Sequence, residues 1–251
     1  MGRLPTASDL PGTLQADIVP PPKNDQPTNV LVLLHGLGDT KLSFTRLGQQ
    51  LNLPETACIS VQGPKNVLDL GGFHWGDDIL FDSNTGGLDS DAGFRETLAL
   101  LTQLVDEVLV AKCGYKYREI VLLGFGQGGM AALRLAVALH SSASAQQSPS
   151  ISKEFGGVIS IGAALPSDAP ASLDPLCKTP ILVCAGSDQS SVTPSSEDKL
   201  KRNFEFVEVR RYRKPGDSMP SNRDEMMPIM QFFSRRLRSV KGVPEGSIEV
   251  S

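Results

Sequence analysis

Apolar residues along the chain fall into short continuous runs that are separated by longer amphipathic stretches. The runs are Asn29–Leu34, 57–62, 119–124, 155–165 and 179–186, and the mixed stretch 204–212 is predicted to be a further strand. Continuous apolar runs of this length are typical of strands that are buried on both faces of a parallel sheet. The pattern therefore predicts six strands.

Apolar residues between some of these runs recur at helical spacing. The clearest series is Phe94, Leu98, Leu101, Val105 and Val108, at intervals of four, three, four and three residues. This is the stripe of an amphipathic helix that lies on a sheet. Similar stretches at 44–53, 128–139 and 224–238 predict three more helices. Strands alternating with helices indicate an α/β fold with a mostly parallel, doubly wound sheet flanked by helices.

The domain organisation follows from where this alternation begins and ends. Residues 1–28 contain six prolines and little periodicity, and they are predicted to form an extended N-terminal arm. One domain is expected at 29–238, with a polar, serine-rich loop insert at 141–153. Residues 239–251 are predicted to be a tail.

Composition and charge remove several classes of function. A net charge of −4 and a pI of about 5.4 do not indicate a nucleic-acid partner. The basic cluster Arg210, Arg211, Arg213 and Lys214 is interpreted as a solvated strand end. No apolar run approaches the roughly 18 residues of a transmembrane segment. The opening residues fit the loose myristoylation pattern at Gly2, which matches often by chance.

The four cysteines have neither metal-binding nor redox spacing, so no metal and no cofactor are expected. Cys58 and Cys184 lie inside apolar runs and are predicted to be small core residues. Without a signal peptide, the expected compartment is the reducing cytoplasm.

The most informative stretch is VLLGFGQGGMAAL at 121–133. An apolar strand, a tight turn and a helix follow one another, which is the context of the Gly-x-Ser-x-Gly nucleophile elbow. The serine position is occupied by Gly126. Ligands of such folds bind beyond the carboxyl ends of the strands, where this turn is expected to lie.

Six segments resemble, in order and spacing, motifs of the phospholipase/carboxylesterase family, which includes the acyl-protein thioesterases. They are LLHGLGDT (33–40), WGD (75–77), SDAG (90–93), GFGQGG (124–129), GVISIGAALP (157–166) and RDEMMPIMQFF (223–233). The resemblance extends from about Val30 to Leu237. It implies an α/β-hydrolase that cleaves carboxylic esters and acyl thioesters, among them lysophospholipids and S-palmitoylated proteins, with a Ser-Asp-His triad and no cofactor.

Carried over to this sequence, the resemblance leaves no intact triad. The nucleophile position is Gly126, the acid position is Gln189 with Asp188 beside it, and the base position is Met219. His140 cannot replace the base, because it lies about 14 residues along the predicted helix, roughly 21 Å from the elbow.

The resemblance also assigns an oxyanion hole to the backbone N–H groups of Leu37 and Gln127. His35, Gly36, His74 and Trp75 are expected to border the pocket, with a structural role for His35 and a loop-bracing role for His74. Two interpretations of the surviving glycines remain open. They either preserve a pocket for a carbonyl group, or they are required by tight turns and close packing.

Three functions are therefore carried forward. The first is a weak or catalytically dead hydrolase (a pseudoenzyme) with an acyl, lipid or protein partner. The second is an active esterase or thioesterase with a different catalytic arrangement. The third is a protein-interaction module that uses the proline-rich arm or the serine-rich loop.

Overall fold

A computed structural model describes residues 2–67, 71–81, 88–145 and 153–241 of the chain. The strands within these residues are β1 (Ala16–Val19), β2 (Asn29–Leu34), β3 (Thr56–Val61), β4 (Lys65–Asn66), β5 (Phe73–His74), β6 (Leu80–Phe81), β7 (Leu88–Asp89), β8 (Ile120–Phe125), β9 (Gly157–Ile161), β10 (Ile181–Gly186) and β11 (Val207–Tyr212). The helices are α1 (Lys41–Leu51), α2 (Arg95–Gln103), α3 (Gln127–Ala145), α4 (Pro194–Lys201) and α5 (Arg223–Arg236), and α2 continues as a π-helix over Leu104–Lys112.

Seven of these strands form the central sheet, in the order β1-β3-β2-β8-β9-β10-β11. Strand β1 is antiparallel to β3, and the other neighbouring pairs are parallel. Short ribbons, β4 with β5 and β6 with β7, lie outside this sheet. The predicted fold class, a mostly parallel α/β sheet flanked by helices, is confirmed.

Each face of the sheet carries its own apolar cluster because successive strand residues point to opposite sides. In β2, Val30, Val32 and Leu34 pack toward α2 and α3, whereas Leu31 and Leu33 pack toward α1 and α5. Both faces are covered, which explains why the strand sequences are continuously apolar. All four cysteines are buried and free, as expected for Cys58 and Cys184.

The N-terminal segment is not an arm outside the domain. Its residues Ala16–Val19 form β1, which covers the free edge of β3. Leu14 is buried, and Asp17 accepts hydrogen bonds from Lys41 and Thr45 of α1. A four-residue strand at a sheet edge has too little periodicity to be recognised in a proline-rich sequence.

Two further differences concern helices. Helix α3 continues through Ala145, so the first residues of the predicted 141–153 loop are helical, and 146–152 lie outside the described residues. Helix α4 was not predicted because it is polar and buries only Leu200. Its start is fixed by Thr193, whose hydroxyl accepts a hydrogen bond from Ser196 N–H.

The predicted tail begins in contact with the domain, since Val240 N–H donates to Glu55 Oε1 at 3.1 Å. Residues 242–251 of that tail lie outside the described part of the chain. None of the helices that the structure describes has the length and apolar character needed to cross a bilayer.

Candidate active site

Gly126 lies at the turn between β8 and α3, at the carboxyl edge of the sheet. Its φ is +51°, its N–H donates to Ile161 O at 2.9 Å, and its carbonyl accepts from Met130 N–H at 3.0 Å. A Cβ atom built on Gly126 meets no heavy atom within 4 Å. The turn therefore has the sharp backbone of a nucleophile elbow and room for a side chain, but it has no hydroxyl group.

The neighbouring glycines are required by packing. A Cβ on Gly124 would lie 2.3 Å from Gly128 O, and a Cβ on Gly128 would lie 2.4 Å from both His35 O and Leu34 O. Contacts this short are forbidden, so α3 can approach β2 and β8 only because these residues are glycine. Of the two interpretations left open by the sequence, packing accounts for Gly124 and Gly128 but not for Gly126.

Strands β2 and β8 are neighbours, so the loop after β2 and the elbow start at the same edge of the sheet. The loop contacts the elbow closely, since a Cβ on Gly36 would be only 2.8 Å from the Phe125 ring. Among the described residues, the backbone N–H groups of Leu37 and Gln127 donate no hydrogen bond. Both N–H groups are thus free to donate to a ligand oxygen.

The Gln127 side chain braces this edge. Its Oε1 accepts from Trp75 N–H at 2.7 Å and its Nε2 donates to Ser90 O at 3.0 Å. Trp75 Nε1 donates to His35 O at 2.8 Å, and the Trp75 side chain is fully buried. Trp75 was expected to border the pocket, and the structure places its ring in the buried apolar cluster beneath the loops.

His35 is likewise a structural residue. Its Nε2 accepts from Gly63 N–H at 2.9 Å, which makes Nδ1 the protonated nitrogen, and Nδ1 donates to Gly36 O at 2.8 Å. His35 and Gly36 are buried, and burial lowers the pKa of His35. A neutral imidazole with both nitrogens engaged cannot act as a general base.

His74 belongs to the short β4–β5 ribbon and is also buried. Its pKa is lowered by burial and then by the nearby charge of Lys65. A Cβ atom built on Gly63 would lie only 2.7 Å from the His74 carbonyl oxygen. The backbone of His74 braces the neighbouring loop, and its ring, like that of Trp75, contributes almost no accessible surface.

The remaining histidine, His140, lies near the far end of α3. Its ring nitrogens are bonded to Glu154 and Pro175 at the amino-terminal edge of the sheet. The expectation that His140 does not serve the elbow agrees with this position.

The loop that carries the base position follows β11. Met219 is partly buried against the apolar cluster of the α1/α5 face, which Phe125 also contacts. Its carbonyl accepts from Lys214 Nζ at 2.9 Å, and the same ammonium group donates to Glu225 at 2.6 Å. A thioether is only a weak acceptor, so this well-anchored position offers no proton acceptor.

The loop after β10 carries the acid position. Gln189 is exposed and has a φ of +51°, and the Asp188 side chain is exposed too. The carboxylate of Asp188 accepts from its neighbour Ser187 at 3.1 Å, whereas its carbonyl accepts from Gly216 N–H at 2.7 Å. Neither side chain is held against another loop by the bonds that the structure describes.

Asp217 makes the connection between these two loops, and the sequence did not suggest it. Its carboxylate accepts from Gly186 N–H at 3.0 Å, Ser191 N–H at 2.7 Å and Ser190 Oγ at 2.8 Å. A Cβ on Gly162, which follows β9 and has a φ of +69°, would lie 2.5 Å from the Asp217 Cβ. Only its place two residues before Met219 could have drawn attention to it.

Comparisons with known proteins agree with this architecture. The family model described as Phospholipase/Carboxylesterase matches residues 15–237. An uncharacterized hydrolase of Schizosaccharomyces pombe is 30% identical over 236 residues, which cover 92% of this chain and 91% of the relative. Another, of Mycosarcoma maydis, is 30% identical over 226 residues, which cover 88% and 81%.

Solved structures show the same fold. The crystal structure of Zea mays acyl-protein thioesterase 2 has a TM-score of 0.63 at 22% identity and covers 89% of this chain and 99% of its own. The crystal structure of esterase PE8 has a TM-score of 0.66 at 20% identity, with the same coverage of both chains.

Proposed function

Since the chain belongs to the phospholipase/carboxylesterase family of α/β-hydrolases, we propose that it binds carboxylic esters or acyl thioesters at the elbow and hydrolyses them far more slowly than a member with a Ser-Asp-His triad. The observation that carries this proposal is Gly126. Its turn has the backbone of an elbow and open space for a side chain, yet it has no atom that can attack a carbonyl carbon.

The base and acid positions support the same conclusion. The Met219 thioether cannot accept the proton of a nucleophile, and the Gln189 amide cannot stabilise an imidazolium ion. The Asp217 carboxylate joins the two loops, but it is engaged with three donors, one at the end of β10 and two in the loop that follows.

Ligand binding is supported by what remains of the edge. The N–H groups of Leu37 and Gln127 can hydrogen-bond a carbonyl oxygen, and the Gln127 side chain is held by the backbone of Trp75 and Ser90. The missing hydroxymethyl group of Gly126 adds space next to them. A carboxylic ester, a thioester or the free acid fits this chemistry.

The two alternative functions have less support. A different catalytic arrangement needs a histidine or another base near a hydroxyl group, but His35 and His74 are buried and His140 lies at the opposite edge. An interaction module that uses the N-terminal arm is disfavoured because part of that arm is β1.

The proposal is tested by rebuilding the triad in steps. Turnover of a p-nitrophenyl ester and of a short acyl thioester is measured for the wild type, Gly126→Ser, Gly126→Ser with Met219→His, and these two with Gln189→Asp. Gly126→Ser alone should change little, because no base is present. The double variant should gain about 10²-fold or more, the usual contribution of a general base, and the acid should add to it.

A matched control adds a serine elsewhere. Gly114 also has a positive φ, +79°, and open space around its Cβ, so Gly114→Ser in the Met219→His background should gain nothing. A serine-directed fluorophosphonate should label only proteins that carry both Ser at 126 and His at 219. Wild-type turnover at ordinary enzyme rates, about 1–10³ s⁻¹, or labelling of a wild-type serine, would contradict the proposal.

A further inference from the structure

A cluster of three metal-ligating side chains lies at the edge of the sheet opposite the elbow. His140 comes from the last turns of α3, Glu154 from the segment before β9, and Cys177 from the segment before β10. Cys177 is fully buried and His140 is 9% exposed. The cluster takes no part in the chemistry proposed for Gly126.

The candidate ligand atoms converge on one point. His140 Nδ1 is 2.9 Å from Glu154 Oε1, Cys177 Sγ is 3.2 Å from Glu154 Oε2, and the three ligand atoms all lie within 4.8 Å of one another. Tetrahedral zinc with bonds of about 2.0–2.3 Å holds its ligand atoms about 3.3–3.8 Å apart. Small side-chain shifts would therefore place all three in bonding range of one ion.

Neighbouring groups orient these side chains by hydrogen bonds, as groups around metal sites orient the metal ligands. His140 Nε2 lies 2.9 Å from the Pro175 carbonyl, so Nε2 is protonated and Nδ1 faces the cluster. The Thr179 hydroxyl accepts from Phe155 N–H at 3.0 Å and donates to Glu154 Oε2 at 2.9 Å. His140 is held at the nitrogen that faces away from the cluster, and Glu154 is held at the oxygen that also contacts Cys177.

The contacts among the three side chains are ones that a metal ion can replace. The Cys177 thiol donates a hydrogen bond to Glu154 Oε2, and His140 Nδ1 is in hydrogen-bond contact with Glu154 Oε1. A bound zinc ion would take the place of the protons in both contacts. A neutral imidazole, a carboxylate and a thiolate together balance its charge of 2+.

We propose that His140, Glu154 and Cys177 form a zinc-binding site that joins α3 to the segments before β9 and β10. Nitrogen and sulfur ligands favour Zn²⁺ over Mg²⁺ or Ca²⁺, which take oxygen ligands. The three residues are 14 and 23 positions apart in the sequence, which matches no compact zinc motif, so only the fold brings them together. The Glu154 side chain is 20% exposed to solvent, so water can reach the site as the fourth zinc ligand.

The test is metal binding by the purified full-length protein after removal of metal under native conditions. Zinc should bind at one ion per chain, and Co²⁺ should replace it with a thiolate-to-cobalt charge-transfer band in the near ultraviolet. Excess Mg²⁺ or Ca²⁺ should not displace the ion. Cys177→Ser should abolish the charge-transfer band and weaken zinc binding by more than about 100-fold. Replacing a group that only hydrogen-bonds a metal ligand already lowers metal affinity by about 10–100-fold.

Two further variants separate a built site from adventitious binding. Thr179→Val should weaken zinc binding by about 10–100-fold without changing its stoichiometry. Cys58→Ser removes a buried free thiol on the other face of the sheet and should leave binding unchanged. Wild-type protein that binds Co²⁺ without the thiolate band, or a Cys177→Ser protein that binds zinc equally well, overturns the proposal. The wild-type spectrum decides the question even if Cys177→Ser fails to fold.

Discussion

At the residue scale, one carboxylate adds side-chain hydrogen bonds to the backbone bonds that join the two loops beside the elbow. Asp217 comes from the loop of the predicted base position and accepts one hydrogen bond from the last residue of β10 and two from the loop of the predicted acid position. An acid–base pair would connect the same loops through Gln189 and Met219, but these side chains cannot form one. Asp217 therefore connects the two loops by hydrogen bonds but does not form an acid–base pair.

Replacing Asp217 should loosen the loop after β10. We expect Asp217→Ala to lower the free energy of unfolding by about 1–3 kcal/mol, because the backbone N–H groups of Gly186 and Ser191 lose their acceptor. Urea unfolding measures this change, and amide hydrogen exchange at Gly186 and Ser191 should accelerate. The matched control is Asp188→Ala, whose exposed carboxylate bonds, among the residues that the structure describes, only Ser187. Equal effects of the two variants would contradict the role given to Asp217.

At the scale of elements, the elbow has two kinds of glycine. Gly128 lets the first turn of α3 contact the end of β2, whereas Gly126 has open space and only an unusual φ. Both glycines belong to one sequence motif. The sequence alone cannot show that their surroundings differ, because the atoms next to Gly128 belong to the end of β2, about 90 positions away.

This difference predicts unequal costs for two similar substitutions. Gly128→Ala should lower the free energy of unfolding by about 3 kcal/mol or more, or prevent folding, because its Cβ would overlap His35 O and Leu34 O. Gly126→Ala should cost about 1–2 kcal/mol, from the left-handed backbone alone. Chemical denaturation of both variants measures the order, and a reversed order would show that the elbow is packed differently.

The elements also show where sequence patterns succeed and where they fail. Five central strands, β2, β3, β8, β9 and β10, are recognisable because continuous apolar runs reflect burial on both faces, whereas the edge strand β11 is mostly half-buried. Strand β1 and helix α4 are missed because a short edge strand and a polar helix bury too few residues to produce a pattern. Pattern strength therefore follows the buried area of an element rather than its length.

At the scale of the whole molecule, two buried histidines link stability to pH. The pKa values of His35 and His74 are lowered, chiefly by burial, so the folded state favours their neutral forms. Above the ordinary pKa of about 6.5 both states are neutral and stability is complete. As the pH falls below that value, the unfolded chain takes up protons first and the folded state loses stability.

We therefore expect the free energy of unfolding to fall between pH 7.5 and pH 5.5, by up to about 1.4 kcal/mol per pH unit for each histidine. Urea midpoints at several pH values measure the decline. His74→Asn should make it shallower, because the variant keeps a polar side chain that does not titrate. An identical decline in His74→Asn and the wild type would exclude His74 as a cause.

Local pattern and residue identity are sufficient to predict the class of fold, the main strands and the lack of a serine, an aspartate and a histidine at the positions that the family resemblance assigns to the triad. The tertiary structure decided which glycines are needed for packing, that His35 and Trp75 are buried supports, and that Asp217 ties two loops together. It also brought His140, Glu154 and Cys177 to one point. Each of these depends on which strands are neighbours in the sheet, and contacts between distant segments leave no periodic trace along a single chain.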